Sequence, residues 1–169
     1  MSADLTPYYA GLDPGKTGAL VVLDAEGRPV HVRHAPSSWH REPGPLHIRI
    51  AIVVAEVKMS LPSARLMVAV EVQQSRTGQA HQAAIVAEDG IWRGALAMAG
   101  ADVYPVTPQT WRAHTGTSMA SRAACKRASV DYCRARIPEL DLTPGRTRTP
   151  QDGIADAGVI ADWLRRRMI

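Results

Sequence analysis

The sequence predicts an α/β layered domain on a mixed five-stranded sheet: a three-strand antiparallel meander, two parallel strands, and helices packed against them. Three observations lead there. Residues 8–34 contain three short, apolar, β-branched runs parted by turn residues. From residue 46 onward, stretches with helical spacing alternate with two more compact apolar runs. The chain has 169 residues, enough to enclose a real core, and residues 1–169 are read as a single domain.

Residues 8–12 are read as the first strand and "GALVVLD" (18–24) as the second. "AEGR" (25–28) is a turn, and "PVHVRH" (29–34) alternates as a third strand does. The Pro- and Gly-rich "APSSWHREPGP" (35–45) is a loop. Leu46, Ile50, Val53, Val54, Val57 and Leu61 set a helical spacing over 46–61, which Pro62 ends. "RLMVAVE" (65–71) is a compact apolar run closing on a carboxylate, as a buried central strand would. After a loop-like stretch a helix runs to about residue 99, with a break expected near Gly90 and a stop at Gly100. "ADVYPVTP" (101–108) is a strand and its exit, and "PQTWRAHTG" (108–116) suggests a short helix. Residues 121–136 form a helix stopped by Pro138, 140–151 a loop, and 152–167 the last helix. Thr149 is its expected cap, with Pro150 in the first turn.

Apolar residues make up 46% and charged residues 21%, the balance of an ordinary globular chain. No window of about 18 consecutive apolar residues exists, so no membrane span is expected. The first residues lack the basic-then-apolar layout of a signal peptide. Cys125 and Cys133 lie eight apart in one expected helix and do not form a metal-type pair. They fit a reduced, cytoplasmic setting and plain core roles. The net charge is +4, which by itself says little about nucleic acid. Arginine is concentrated in the second half, at Arg112, Arg122, Arg127, Arg134, Arg136, Arg146 and Arg148, with Lys126 among them. From charge alone, a solvated surface is the plainer reading.

"YYAGLDPGKTGALVVLD" (8–24) invites a phosphate-loop reading through its Gly-Lys-Thr. That motif needs a first glycine at position 10, where Ala10 stands, and it must lead into a helix whose amides bind phosphate. Here it leads into a strand-like run. Gly15 and Gly18 read instead as turn glycines between antiparallel strands, and no nucleotide cofactor is expected.

The carboxylates are more informative. Asp13 follows the first strand and Glu71 ends a buried one. Asp152 and Asp156 are four apart and share one helix face. Asp152 alone is explained by the helix dipole. Asp156 heads an apolar stripe of Val159, Ile160 and Trp163 with no lysine or arginine on it, so it needs a partner from elsewhere. Clustered carboxylates repel unless cations lie between them, and an all-oxygen set suits Mg²⁺ or Mn²⁺. Two such ions, roughly 3.5–4 Å apart, can clamp the attacking and leaving oxygens of a phosphodiester. No HxxxH or CxxC pattern points to zinc. The six histidines are scattered, with His81 and His114 the two set aside as candidates.

"GLDPGKTGALVV", "VAVEVQQSRTGQAHQA", "VYPVTPQTWRAHTG" and "DGIADAGVIADW", in that order, resemble the RuvC-type Holliday junction resolvases, and most nearly their compact bacteriophage-like branch. The resemblance covers most of residues 8–165. It implies a ribonuclease H-like fold and a homodimer that cuts four-way DNA junctions in a bacterial or phage-infected cell. It also implies Mg²⁺ or Mn²⁺, two ions per active site, held by Asp13, Glu71, Asp152 and Asp156. In the best-known cellular resolvases the last two acids are three apart; here they are four apart, which still keeps one helix face. DNA contacts implied or suggested by position are Lys16, Arg76, Gln79, Arg112, Arg122 and Lys126, with residues 74–82 as a loop toward the junction centre. The implied products are a 5′-phosphate and a 3′-hydroxyl. The expected helices at 46–61 and after Glu71 each carry a broad apolar face that suits a dimer surface.

Two other readings stay open on the residues alone. A non-catalytic branched-DNA-binding protein would use the same fold, although all four acids are present. An actin-like nucleotide-handling enzyme shares the look of the first hairpin, although such proteins need two domains and far more chain.

Overall fold

The computed structural model describes residues 5–35, 39–40, 43–61, 64–72, 82–117, 121–145 and 148–169. The strands are β1 (Thr6–Asp13), β2 (Ala19–Leu23), β3 (Pro29–His34), β4 (Ala64–Glu71) and β5 (Asp102–Val106). The helices are α1 (Leu46–Ser60), α2 (Gln82–Met98), α3 (Pro108–Arg112), α4 (Arg122–Arg136) and α5 (Asp152–Met168). A 3-10 turn, Ala113–Thr115, extends α3. The sheet order is β3-β2-β1-β4-β5. The pairs β3–β2 and β2–β1 are antiparallel, and β1–β4 and β4–β5 are parallel, as the apolar runs implied.

Alternation along each strand sorts the core into two layers. Ala10, Leu12, Leu20, Val22, Leu66, Val68 and Val70 face α1 and α2. Tyr9, Ala19, Val21, Leu23, Met67 and Ala69 face α4 and α5. Burying one such Val, Leu or Ile is worth about 1.5–3 kcal/mol, so both faces of the sheet are driven inward. The helix α5 is apolar almost all round because it is enclosed by the sheet on one side and α4 on the other. Its small residues Ala155, Ala157, Gly158 and Ala161 permit that depth. The cysteines Cys125 and Cys133 are buried and unbridged on the inner face of α4, as their spacing suggested.

Two local expectations fail. The helix α2 runs unbroken through Gly90, since Trp92 and Leu96 are buried on its inner face and carry it past the glycine. Thr149 does not cap α5; Gln151 is the N-cap and makes no side-chain cap bond. The Gln151 amide donates instead to the Leu142 carbonyl at 2.7 Å, so the preceding loop sets where the helix begins.

The far end of α5 is tied down by Asp162, a buried carboxylate. It accepts hydrogen bonds from Tyr132 Oη, from Arg165 Nε and Nη2, and from Arg166 Nε at 2.5–2.9 Å. Arg165 Nη1 continues to the Ala25 carbonyl in the β2–β3 turn at 3.0 Å. Burial alone would push Asp162 up, but these donors outweigh it and its pKa is lowered. His114, one of the two histidines set aside, belongs to this network through Tyr132 at 2.8 Å, and burial lowers its pKa. His81 lies outside the described residues. Asp162→Asn should cost about 2 kcal/mol, read as a drop of about 6 °C in the thermal midpoint at pH 7. A depressed carboxylate stabilises above its unfolded pKa and loses that contribution as pH falls through the folded one. The gap between variant and wild type should therefore close below about pH 4.

Among the described residues, no helix is long and apolar enough to cross a membrane.

Candidate metal centre

The strand register brings the first two acids together. In the parallel β1–β4 pair, Leu12 stands opposite Val70, so Asp13 and Glu71 are the next residues of neighbouring strands. Both follow the parity of Gly11 and Ala69, and so project toward α5. Glu71 is buried at 8% exposure, while Asp13 keeps part of its surface open. The two carboxyl groups lie close enough to shift one another, and Glu71 raises Asp13.

Two glycines bring α5 to these strand ends. A Cβ on Gly11 would lie 2.1 Å from the Ala157 carbonyl oxygen, so β1 and α5 are in backbone contact there. A Cβ on Gly153 would lie 1.9 Å from the Thr17 carbonyl oxygen, which puts the first turn of α5 on the β1–β2 hairpin. Gly18 closes the hairpin turn itself, where a Cβ would lie 1.9 Å from the Asp13 carbonyl oxygen. The result sets Asp156 close enough to Asp13 and Glu71 to raise both.

The pKa shifts describe the crowding. Burial, then Glu71 and Asp156, hold Asp13 well above the usual carboxylate range. Burial and Asp156 push Glu71 up to about 7, against the lowering pull of Arg112. Asp156 is raised by burial and relieved by Ser129, Arg112 and Lys126. Arg112 leaves α3 with its guanidinium carbon 5.1 Å from the Trp111 ring centre, and its buried Nε has no hydrogen-bond partner among the described residues. The Trp111 indole N–H is also buried and lowers Glu71, yet among the described residues it completes no hydrogen bond of ordinary geometry. Arg112 faces three crowded carboxylates and Lys126 is bonded to Asp152, so the negative charge of the cluster is only partly compensated.

The fold around this cluster has solved counterparts. RuvC from Thermus thermophilus matches over 95% of this chain and 96% of its own, with a TM-score of 0.64 and 26% identity. The chain is similar to the RuvC-type resolvases. A second T. thermophilus RuvC structure, in complex with a Holliday junction substrate, matches over 95% of each chain at TM-score 0.63 and 24% identity. A yeast mitochondrial Holliday junction resolvase shares the fold at TM-score 0.56 and 13% identity, over 97% of this chain and 80% of its own. No family model and no curated protein matches the sequence.

Within this RuvC-type, ribonuclease H-like fold, the acids sit unevenly. Asp13, Glu71 and Asp156 converge. Asp152, one turn earlier on α5, is bonded to Lys126 Nζ from α4. Among the described residues, no three His, Cys, Asp or Glu side chains already close around a common point at ligand distance. Arg112 and Lys126 both reach the cluster. Lys16 is exposed at the hairpin tip, inside the turn that follows Asp13 and leads into β2 rather than a helix. Arg122 is exposed one turn before Lys126 on α4. Arg76 and Gln79 lie outside the described residues.

Ser129 is the site residue that sequence reasoning missed. Its hydroxyl donates to the Cys125 carbonyl at 3.2 Å and lies close enough to the Asp156 carboxylate to lower its pKa. The signal was present: Ser129 is the polar member of the inner α4 stripe Cys125, Ser129, Val130 and Cys133.

Proposed function

We propose that this chain is a structure-selective DNA endonuclease that resolves four-way junctions by metal-dependent phosphodiester hydrolysis. The observation that carries this reading is the convergence of Asp13, Glu71 and Asp156 on one end of a RuvC-type sheet, with Arg112 and Lys126 beside them. The likeness spans 95% of the chain, and one of the matched structures is RuvC bound to a Holliday junction substrate.

The donor set fits Mg²⁺ or Mn²⁺: oxygen only, largely buried, mutually repelling and short of cations. Asp13, Glu71 and Asp156 would hold the metal, two ions in all, with Asp152 as the fourth acid. Divalent cations bound there supply positive charge to the attacking and leaving oxygens of the phosphodiester. The remaining roles fall to the chain itself. Ser129 orients Asp156, Arg112 offsets the charge of the cluster, and Lys126 and Lys16 face incoming backbone phosphates. Hydrolysis with the 3′ oxygen leaving gives a 5′-phosphate and a 3′-hydroxyl, which a ligase can reseal. A homodimer would set two such sites on opposed strands and pair the nicks.

The test compares a synthetic four-way junction with a linear duplex of the same sequence, in Mg²⁺, in Mn²⁺ and in chelator. We expect paired nicks in the junction with either metal, intact duplex, and cutting that falls steeply as salt rises from 50 to 200 mM. An uncut junction in both metals refutes the proposal, and tight junction binding without cutting identifies the non-catalytic alternative.

A further inference from the structure

The turn that follows Asp13 is gripped from two sides. On the α5 side the contact is steric: Gly153 lies on the Thr17 carbonyl, while inside the turn Gly18 packs on the carbonyl of Asp13. On the opposite face of the sheet the contact is polar. Glu88 of α2 accepts a hydrogen bond from the Gly15 amide at 3.2 Å, and the same Oε1 lies 3.2 Å from His40 Nε2. Gly15 has φ +124°, a conformation open to glycine, and its carbonyl accepts the Gly18 amide at 3.2 Å. A single carboxylate oxygen thus holds the middle of the turn.

The two segments that supply this grip are themselves locked together. Trp39 precedes His40, and Trp92 lies one turn beyond Glu88. Both indoles are fully buried and meet edge to face, 4.9 Å between centroids and 81° between planes. Glu88 and His40 are nearly buried, with side-chain exposures of 12% and 19%. A nearly buried carboxylate spent on a glycine amide, 73 residues away in sequence, is not a surface ion pair. It fixes a backbone atom two residues after Asp13, while the tip residues Lys16 and Thr17 stay exposed.

We infer that Glu88 is a positioning residue for the metal centre: with His40 it sets the place of Asp13 and Lys16 by holding the Gly15 amide from the α2 face. This rests on the function proposed above. Glu88 touches neither substrate nor metal; it acts through the turn. A misplacement of about 1 Å at a reacting group can cost about a hundredfold in rate. The turn is also restrained by Gly153, so the expected loss is smaller, about tenfold.

The experiment uses the full chain with Glu88→Ala, Glu88→Gln and His40→Ala. Four quantities are read: single-turnover cutting of the four-way junction in Mn²⁺, junction affinity in Ca²⁺, the thermal midpoint, and amide exchange at Gly15 by NMR. Glu88→Ala should cut about tenfold more slowly at saturating protein, with junction affinity within twofold of wild type and faster Gly15 exchange. Glu88→Gln keeps an acceptor for the amide and should restore both the rate and the protection. His40→Ala should fall between them. The inference is overturned if Glu88→Ala cuts within twofold of wild type, or if Glu88→Gln fails to rescue a loss. Should Glu88→Ala not fold, Glu88→Gln and His40→Ala decide: a His40→Ala rate and Gly15 exchange equal to wild type overturn it. If the wild type cuts no junction, the proposed function fails separately, and Gly15 exchange unchanged in Glu88→Ala overturns the clamp by itself.

Discussion

Asp13→Asn will abolish junction cutting in Mg²⁺ and Mn²⁺, by about a thousandfold or more, while raising the thermal midpoint of the metal-free protein. The activity loss follows from the proposed role: a carboxylate that holds a divalent cation contributes several kcal/mol to the transition state, and about 4 kcal/mol is a thousandfold. The gain in stability follows from the crowding. Asp13 and Glu71 are crowded in a buried site beside Asp156, and ionising them is unfavourable. For raised carboxylates the sign runs opposite to that of a salt bridge. Below about pH 4 the groups are protonated in both folded and unfolded chains and contribute nothing. As pH rises, the unfolded chain ionises first and stability falls until the folded groups ionise too. For Glu71 a rise from 4.5 to about 7 corresponds to a penalty of about 3 kcal/mol above pH 7. The metal-free wild type should therefore lose thermal stability between pH 5 and pH 8, and Asp13→Asn should flatten that decline. Millimolar Mn²⁺ should stabilise wild type more at pH 8 than at pH 6, and Asp13→Asn little at either. Equal pH profiles for the two proteins would remove the crowding account; a cutting-competent Asp13→Asn would remove Asp13 from the reaction.

The same cluster separates what a sequence displays from what it conceals. Glu71 was legible because a run of apolar residues ending in a carboxylate has one economical place, the tip of a buried strand. Asp156 was legible because an acid at the head of Val159 and Ile160 has no solvent on its own face. The partners were less legible. Arg112 and Lys126 were named through the family resemblance and not through spacing, and Ser129 showed only as the polar member of an inner α4 stripe; local spacing does not record which side chain another helix will present. Lys126 and Asp152, 26 residues apart, meet only after α4 and α5 dock. The pause expected at Gly90 failed for a related reason. Glycine costs a helix about 1 kcal/mol, and burial of Trp92 and Leu96 on the same helix returns more than that. Local propensity lost to tertiary burial there, and at Thr149 to the bond between Gln151 and Leu142.

Gly153→Ala and Gly11→Ala will separate the geometry of the site from the integrity of the fold. In an ordinary helix, alanine for glycine gains about 1 kcal/mol. At Gly153 the added Cβ meets the Thr17 carbonyl oxygen at 1.9 Å, well inside any real contact, so something must move. What moves is the hairpin tip or the first turn of α5, both at the edge of the fold. That displacement pulls Asp152 and Asp156 away from Asp13, and cutting should fall about a hundredfold with the chain still folded. At Gly11 the Cβ meets the Ala157 oxygen at 2.1 Å and the Ala161 nitrogen at 2.5 Å, in the middle of β1 and α5. No edge is available there. The central strand is held by β2 and β4, and α5 is held by α4, so relief requires lifting the helix from the sheet. Overpacking of this kind against backbone should cost more than about 4 kcal/mol, and Gly11→Ala should yield little soluble folded protein. Circular dichroism and junction cutting read the two effects apart. A folded, fully active Gly153→Ala would mean that α5 does not set the spacing of the acids, and a stable Gly11→Ala would mean that β1 and α5 are not in backbone contact.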